Sequence, residues 1–135
     1  MLVPIHTDIF YHDGRGPELQ HVHWSHRGAV LRAIEYYNPD DTYDSLALKH
    51  VLFDACQVVQ ITPEEIIQYA RVATHLAGSS AAMFDLGRSD WLASFSPLHL
   101  KACSHFRLMF YDELVDVICE RITCVRGPFR EPAGL

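Results

Sequence analysis

Three imidazoles within six residues, His21-x-His23-x-x-His26, form the densest chemistry in this chain. Neutral imidazole nitrogens suit zinc, nickel or copper. His6 and His12 lie upstream. No single regular element presents all three: a strand turns His21 and His23 to one side, whereas a helix starting at Val22 brings His23 and His26 together. No His-Glu-x-x-His text accompanies them, and no Cys is interleaved at zinc-finger spacing. His21, His23 and His26 are candidate metal ligands. The alternative is a set of surface or capping histidines in a polar arm, and no cofactor is expected.

A second set combines nucleophiles and bases. Cys56, Cys103, Ser79 and Ser80 stand against His50, His75 and His105. His50 and Cys56 do not share a helix face, and Cys103 and His105 are too close in sequence to face each other on one. There is no Gly-x-Ser-x-Gly and no Gly-rich phosphate loop. Glu64-Glu65 reads as first-turn helix charge rather than as an acid–base pair. No required set is complete, so the chain is not expected to be an enzyme. The four Cys have no Cys-x-x-Cys spacing and are expected to be reduced, with Cys56, Cys103 and Cys119 as small core residues.

The chain has 135 residues, 49% of them hydrophobic, enough for one domain with a real core. Its 11 Lys and Arg against 17 Asp and Glu give a formal charge of -6. A free-standing DNA binder needs a basic face to neutralise phosphates. Nucleic acid is therefore expected only weakly or through a partner, with Arg88, His99, Lys101 and Arg107 as the candidate contacts. Met1–Phe10 lacks the basic start and apolar run of an export signal, and no stretch is long enough to span a bilayer. A cytoplasmic protein without membrane contact is expected.

The elements that would position these residues read as helices. Residues 1–24 form an extended arm or hairpin around Asp13-Gly14-Arg15-Gly16-Pro17. Ser25 caps a helix to about Tyr37, stopped by Asn38-Pro39. Asp44 or Ser45 opens a second to about Val59. Thr62-Pro63-Glu64-Glu65 caps a third. Ser79–Leu86 is a further helical piece stopped by Gly87, and Ser89-Asp90 caps a short turn holding Trp91, Leu92 and Phe95. Ser96-Pro97 starts another helix, and the last runs from Asp112 to about Val125. Phe106–Tyr111 stays open between a buried helix start and a short strand. Gly127-Pro128 ends the last helix, and 127–135 is a loose tail. The fold expected is all-α, with five to six helices in one compact bundle. Its core is expected to include Leu31, Ile34, Leu48, Leu52, Ile66, Ala70, Phe84, Leu92, Phe95, Leu114 and Ile118.

Two short helices joined by Ser94-Phe95-Ser96-Pro97 would make a helix–turn–helix-like unit, with ordinary packing around Trp91 and Phe95 as the stronger alternative. In the same region Ser80-Ala81-Ala82-Met83-Phe84-Asp85-Leu86-Gly87 resembles a segment of FlhD-type flagellar transcriptional regulators. Leu92-Ala93-Ser94-Phe95-Ser96, Lys101-Ala102, His105-Phe106-Arg107, Phe110 and Asp112 extend the resemblance, which spans about residues 79–118 with gaps. Asp85 stands where the family usually has Arg. The resemblance implies an all-helical homodimer that acts through a DNA-binding partner. Its implied association surface is Met83, Phe84, Trp91, Phe95, Phe106, Phe110 and Leu114. Two other functions remain: a protein-interaction module (inhibitor, chaperone or adaptor) without a DNA role, and a small metal- or thiol-dependent enzyme using the His-rich arm.

Overall fold

Among the described residues, strands rather than helices build the fold. The structure, a computed structural model, describes residues 2–25, 30–39, 47–66, 80–95 and 100–131. Nine strands are present among them: β1 (Val3–Pro4), β2 (Glu18–Ser25), β3 (Val30–Tyr37), β4 (Lys49–Asp54), β5 (Val58–Pro63), β6 (Met83–Asp85), β7 (Ser104–Met109), β8 (Glu113–Cys119) and β9 (Arg121–Arg126). One short helix, α1 (Asp90–Ala93), and a 3-10 turn at Glu64–Ile66 complete the described elements. All ladders are antiparallel. The first sheet has the order β1-β6-β7-β8-β5 and the second β2-β3-β4-β9.

The all-α bundle is thereby corrected. The expected helix after Ser25 is β3, the next is β4 with the start of β5, and the expected final helix is β8 followed by β9. The reason lies in burial on both faces. A central strand covered on each side reads as a continuous apolar run, and such a run satisfies helical spacing as well as strand spacing. β8 is buried at six consecutive positions, Leu114 to Cys119. Val115, Val117, Ile118, Ile122, Thr123 and Val125 are β-branched, which favours the pleated backbone over the helix. The segment quoted for the flagellar-regulator resemblance falls on β6, α1, β7 and β8, so the all-helical architecture it implies is not that of this chain. The Ser89 cap is where the sequence puts it: its side chain accepts the Leu92 amide and opens α1. Thr62-Pro63-Glu64-Glu65 leads into the 3-10 turn, while Ala70, His75, Ser79, His26 and His99 lie outside the described residues.

The two sheets share a bent ribbon. β4 pairs with β9 and β5 with β8, and the pairing shifts by one residue at the corner between them. Ala55 sits there at φ 52, a left-handed conformation that turns the chain from one sheet into the other. Between the sheets lies the main core, with Ile34, Tyr36, Val51 and Phe53 from the second sheet against Met83, Phe106, Leu108, Val115 and Val117 from the first. Phe10 plugs it, 4.9 Å from the Tyr36 ring and 5.2 Å from that of Phe110. Tyr36 donates to Ile9 O and Asn38 Nδ2 to Tyr11 O, which fixes the N-terminal segment against the second sheet. A smaller cluster of Leu92, Leu100, Cys103 and Ile118 seats α1 on the outer face of the first sheet. Of the expected core, Leu31, Ile34, Phe84, Leu92, Leu114 and Ile118 are buried; Leu48, Leu52 and Phe95 are half-buried, and Ile66 is exposed.

Candidate functional sites

Strand geometry turns His21 and His23 to one side of β2, as their spacing allows. Their partner comes from the neighbouring strand: Glu35 of β3 lies directly across from His21 and also from His50 of β4. These side chains project from the outer face of the second sheet, opposite the core. His21 Nδ1 donates to Glu35 Oε1 at 3.0 Å and His23 Nε2 donates to the same oxygen at 2.7 Å. The other oxygen, Oε2, accepts the Phe129 amide at 3.0 Å. Phe129 arrives because residues 127–131 run back over the sheet from the end of β9, turning at Gly127 with φ 96. His50 Nδ1 donates to Gly127 O at 2.7 Å, and the Phe129 ring lies 4.8 Å from His23 and 5.6 Å from His50.

This cover leaves only 6% of the Glu35 side chain exposed. Burial works to raise its pKa, but the bonds from His23, the Phe129 amide and His21 outweigh it and hold the carboxyl below its ordinary value. The imidazole nitrogens converge on one carboxylate oxygen rather than around a common centre. Among the described residues, no group of three or more His, Cys, Asp or Glu is arranged to hold a metal ion.

A second network lies between α1 and the first sheet. Leu92 N donates to Ser89 Oγ, which meets His105 Nδ1 at 2.7 Å; His105 Nε2 meets Asp116 Oδ1 at 2.6 Å, and Arg107 Nε donates to the same oxygen at 2.9 Å. The proton order closes if Ser89 donates to a neutral imidazole whose Nε2–H faces Asp116. Burial opposes the Asp116 charge, yet the bonds from His105 and Arg107 hold its pKa below the ordinary value. Ser, His and Asp are the residue types of acyl transfer. Here, however, the imidazole is 3% exposed and lies under Trp91, 4.7 Å between ring centroids. The network ties α1 to β7 and β8.

Three of the thiols, those of Cys56, Cys103 and Cys119, are buried, and Cys124 is half-buried. All four are free; burial is the largest effect on each and raises all four, to about 11 for Cys56 and about 12 for Cys124. Little thiolate exists at neutral pH, which removes support from a thiol nucleophile.

A third site is an open cavity of about 350 Å³ lined by Pro63, Glu64, Glu65, Asp112 and Glu113. The end of β5 and the turn before β8 bring these residues together, and the Glu64 amide donates to Asp112 O. Described ion pairs join Arg32 to Glu131, Arg107 to Asp116 and Arg121 to Asp54. Among the described residues none reaches these four carboxylates. Burial first, then Asp112 and Glu18, raise the Glu113 pKa. Close to the lining residues in sequence, Ile61, Ile66 and Tyr111 are 44%, 66% and 44% exposed.

The residues expected to form an association or DNA surface are distributed differently. Met83, Phe84, Phe106, Phe110 and Leu114 are buried, while Trp91 and Phe95 are half-buried and pack on each other at 5.7 Å. Arg88 Nη1 donates to the carbonyls of Leu100, Lys101 and Cys103, and Arg107 is bound to Asp116. Of these candidates Arg88 and Lys101 are exposed and Arg107 is half-buried, while His99 lies outside the described residues. The sequence contains no motif for Glu35, Asp116 or the acidic cavity. The signal it does hold is a single carboxylate inside an apolar run, as in Ala33-Ile34-Glu35-Tyr36-Tyr37 and Leu114-Val115-Asp116-Val117-Ile118. No helix among the described residues is long and apolar enough to cross a membrane. No protein-family model, curated protein or solved structure matches the chain.

Proposed function

We propose that this protein is an interaction module that binds a basic protein partner through the acidic cavity and has no direct role on DNA. The observation that carries this reading is the cavity that gathers Glu64, Glu65, Asp112 and Glu113, with exposed Ile61, Ile66 and Tyr111 close to them in sequence. Burial first, and then the neighbouring Asp112 and Glu18 charges, raise the Glu113 pKa, so part of that rise is like-charge repulsion. A Lys or Arg from a partner relieves it, and the flanking apolar side chains supply area to bury. Such a surface repels phosphates, which agrees with the overall charge of -6.

The test is affinity capture from native-host lysate with the full chain and with a Glu64→Lys/Glu65→Lys/Asp112→Lys variant. All three residues are exposed, so the fold is expected to survive. A basic protein retained by the wild type, released by high salt and absent from the variant is the expected result. The same proteins retained equally by both would refute the reading.

A further inference from the structure

The outer face of β2, β3 and β4 carries a carboxylate that is almost fully covered. Glu35 projects away from the core, where water would solvate it, yet it is nearly sealed. A carboxylate is rarely so buried, because the loss of hydration must be offset by several good bonds. Here the seal depends on His21, His23 and a segment from the end of the chain. That segment is held the way an extended peptide ligand is held. Its backbone N–H at Phe129 goes to Glu35 Oε2, its backbone carbonyl at Gly127 takes a bond from His50, and its aromatic ring sits beside two imidazoles. Two residues on, Glu131 approaches Arg32 at 3.7 Å.

We propose that this face is a docking stripe for an extended, aromatic-bearing peptide segment, and that residues 127–131 occupy it as a displaceable strap. Releasing the strap uncovers polar groups that hydrate at once, so opening costs far less than opening the core. Gly127, already at positive φ, gives the segment a hinge just beyond β9. The incoming segment needs a free backbone N–H for Glu35, an aromatic ring for the place between His23 and His50, and an acidic residue two positions later for Arg32. This stripe is separate from the acidic cavity.

The probe is a fluorescein-labelled peptide with the sequence of residues 125–131, titrated against the full chain. In the wild type the tethered strap competes at an effective concentration of about a millimolar or more. The Phe129→Ala chain has a weakened strap and an intact stripe. The expected result is binding to Phe129→Ala at least about tenfold tighter than to wild type, a free-energy difference of about 1.4 kcal/mol. Adding Glu35→Gln to Phe129→Ala, or replacing Phe by Ala in the peptide, removes the binding. A peptide that fails to bind folded Phe129→Ala, or binds both chains equally, overturns the proposal. If Phe129→Ala does not fold, the strap belongs to the core and the proposal also fails. A measurement on the unmodified chain guards against artefacts of the variant. Excess unlabelled peptide is expected to speed hydrogen exchange at the Phe129 amide, and an unchanged rate would count against displacement.

Discussion

Two carboxylates in this molecule solve the same problem in opposite surroundings. Asp116 and Glu35 are both nearly buried, both take bonds from histidine, and both are held below their ordinary pKa by their partners against the effect of burial. Asp116 sits inside packed layers, with α1 on one side and the sandwich on the other. Its other partner is Arg107, a permanent charge from the neighbouring strand. Glu35 sits on an outer face, and a segment of a few residues completes its cover. The difference shows which polar network is architecture and which can open. Groups freed around Asp116 have nowhere to find water, whereas groups freed around Glu35 are hydrated as soon as the strap lifts.

The largest effect expected from breaking this contrast is that of Asp116→Ala. It leaves Arg107 and His105 without their carboxylate in a buried layer, at a cost of about 3–5 kcal/mol. Denaturant unfolding should show it, and a loss below about 1 kcal/mol would mean the network is far wetter than its geometry. Glu35→Gln removes a charge whose donors can rehydrate, so roughly 1–2 kcal/mol is expected. The same variant should free the Phe129 amide for exchange without changing exchange in β8.

Acid sharpens the comparison further. Both folded-state pKa values are depressed, so each carboxylate contributes stability that is fully present above its ordinary value. That value is 4.5 for Glu35 and 3.8 for Asp116. The contribution is lost as pH falls through the folded value below it. Acid titration is therefore expected to release the strap locally as Glu35 protonates and to unfold the chain cooperatively as Asp116 protonates. Near-ultraviolet circular dichroism and exchange at the Phe129 amide would separate the two steps, and a single coincident transition would speak against them.

Different parts of this design were legible to different degrees. The Ser89 cap and the short helix with Trp91 and Leu92 are written locally, in a hydroxyl followed by good helix residues, and the fold has them in place. The same-side placement of His21 and His23 follows from strand alternation alone. The strands themselves were hidden because Leu114, Val115, Ile118 and Ile122 also satisfy a helical stripe. Only the β-branched content of that run argued otherwise. Glu35 and Asp116 were hidden for a different reason. Each meets a partner through strand register: His21 for Glu35, Arg107 for Asp116. Register is set by turns and long-range packing, and no local spacing encodes it. The strap was hidden in the same way, since Gly127-Pro128-Phe129 reads as an ending and acquires a docking role only once His23, Glu35 and His50 stand side by side.

Native-state hydrogen exchange on the unmodified chain tests the central contrast most directly, by comparing the Phe129 amide with the amides of Val115 and Val117 in β8. Both kinds are bonded in the folded chain. Phe129 is expected to exchange by local opening, several kcal/mol below the global unfolding limit, while the β8 amides exchange only at that limit. Equal protection at the two places would contradict that contrast, because the strap would then be as much a part of the core as the sheet beneath it.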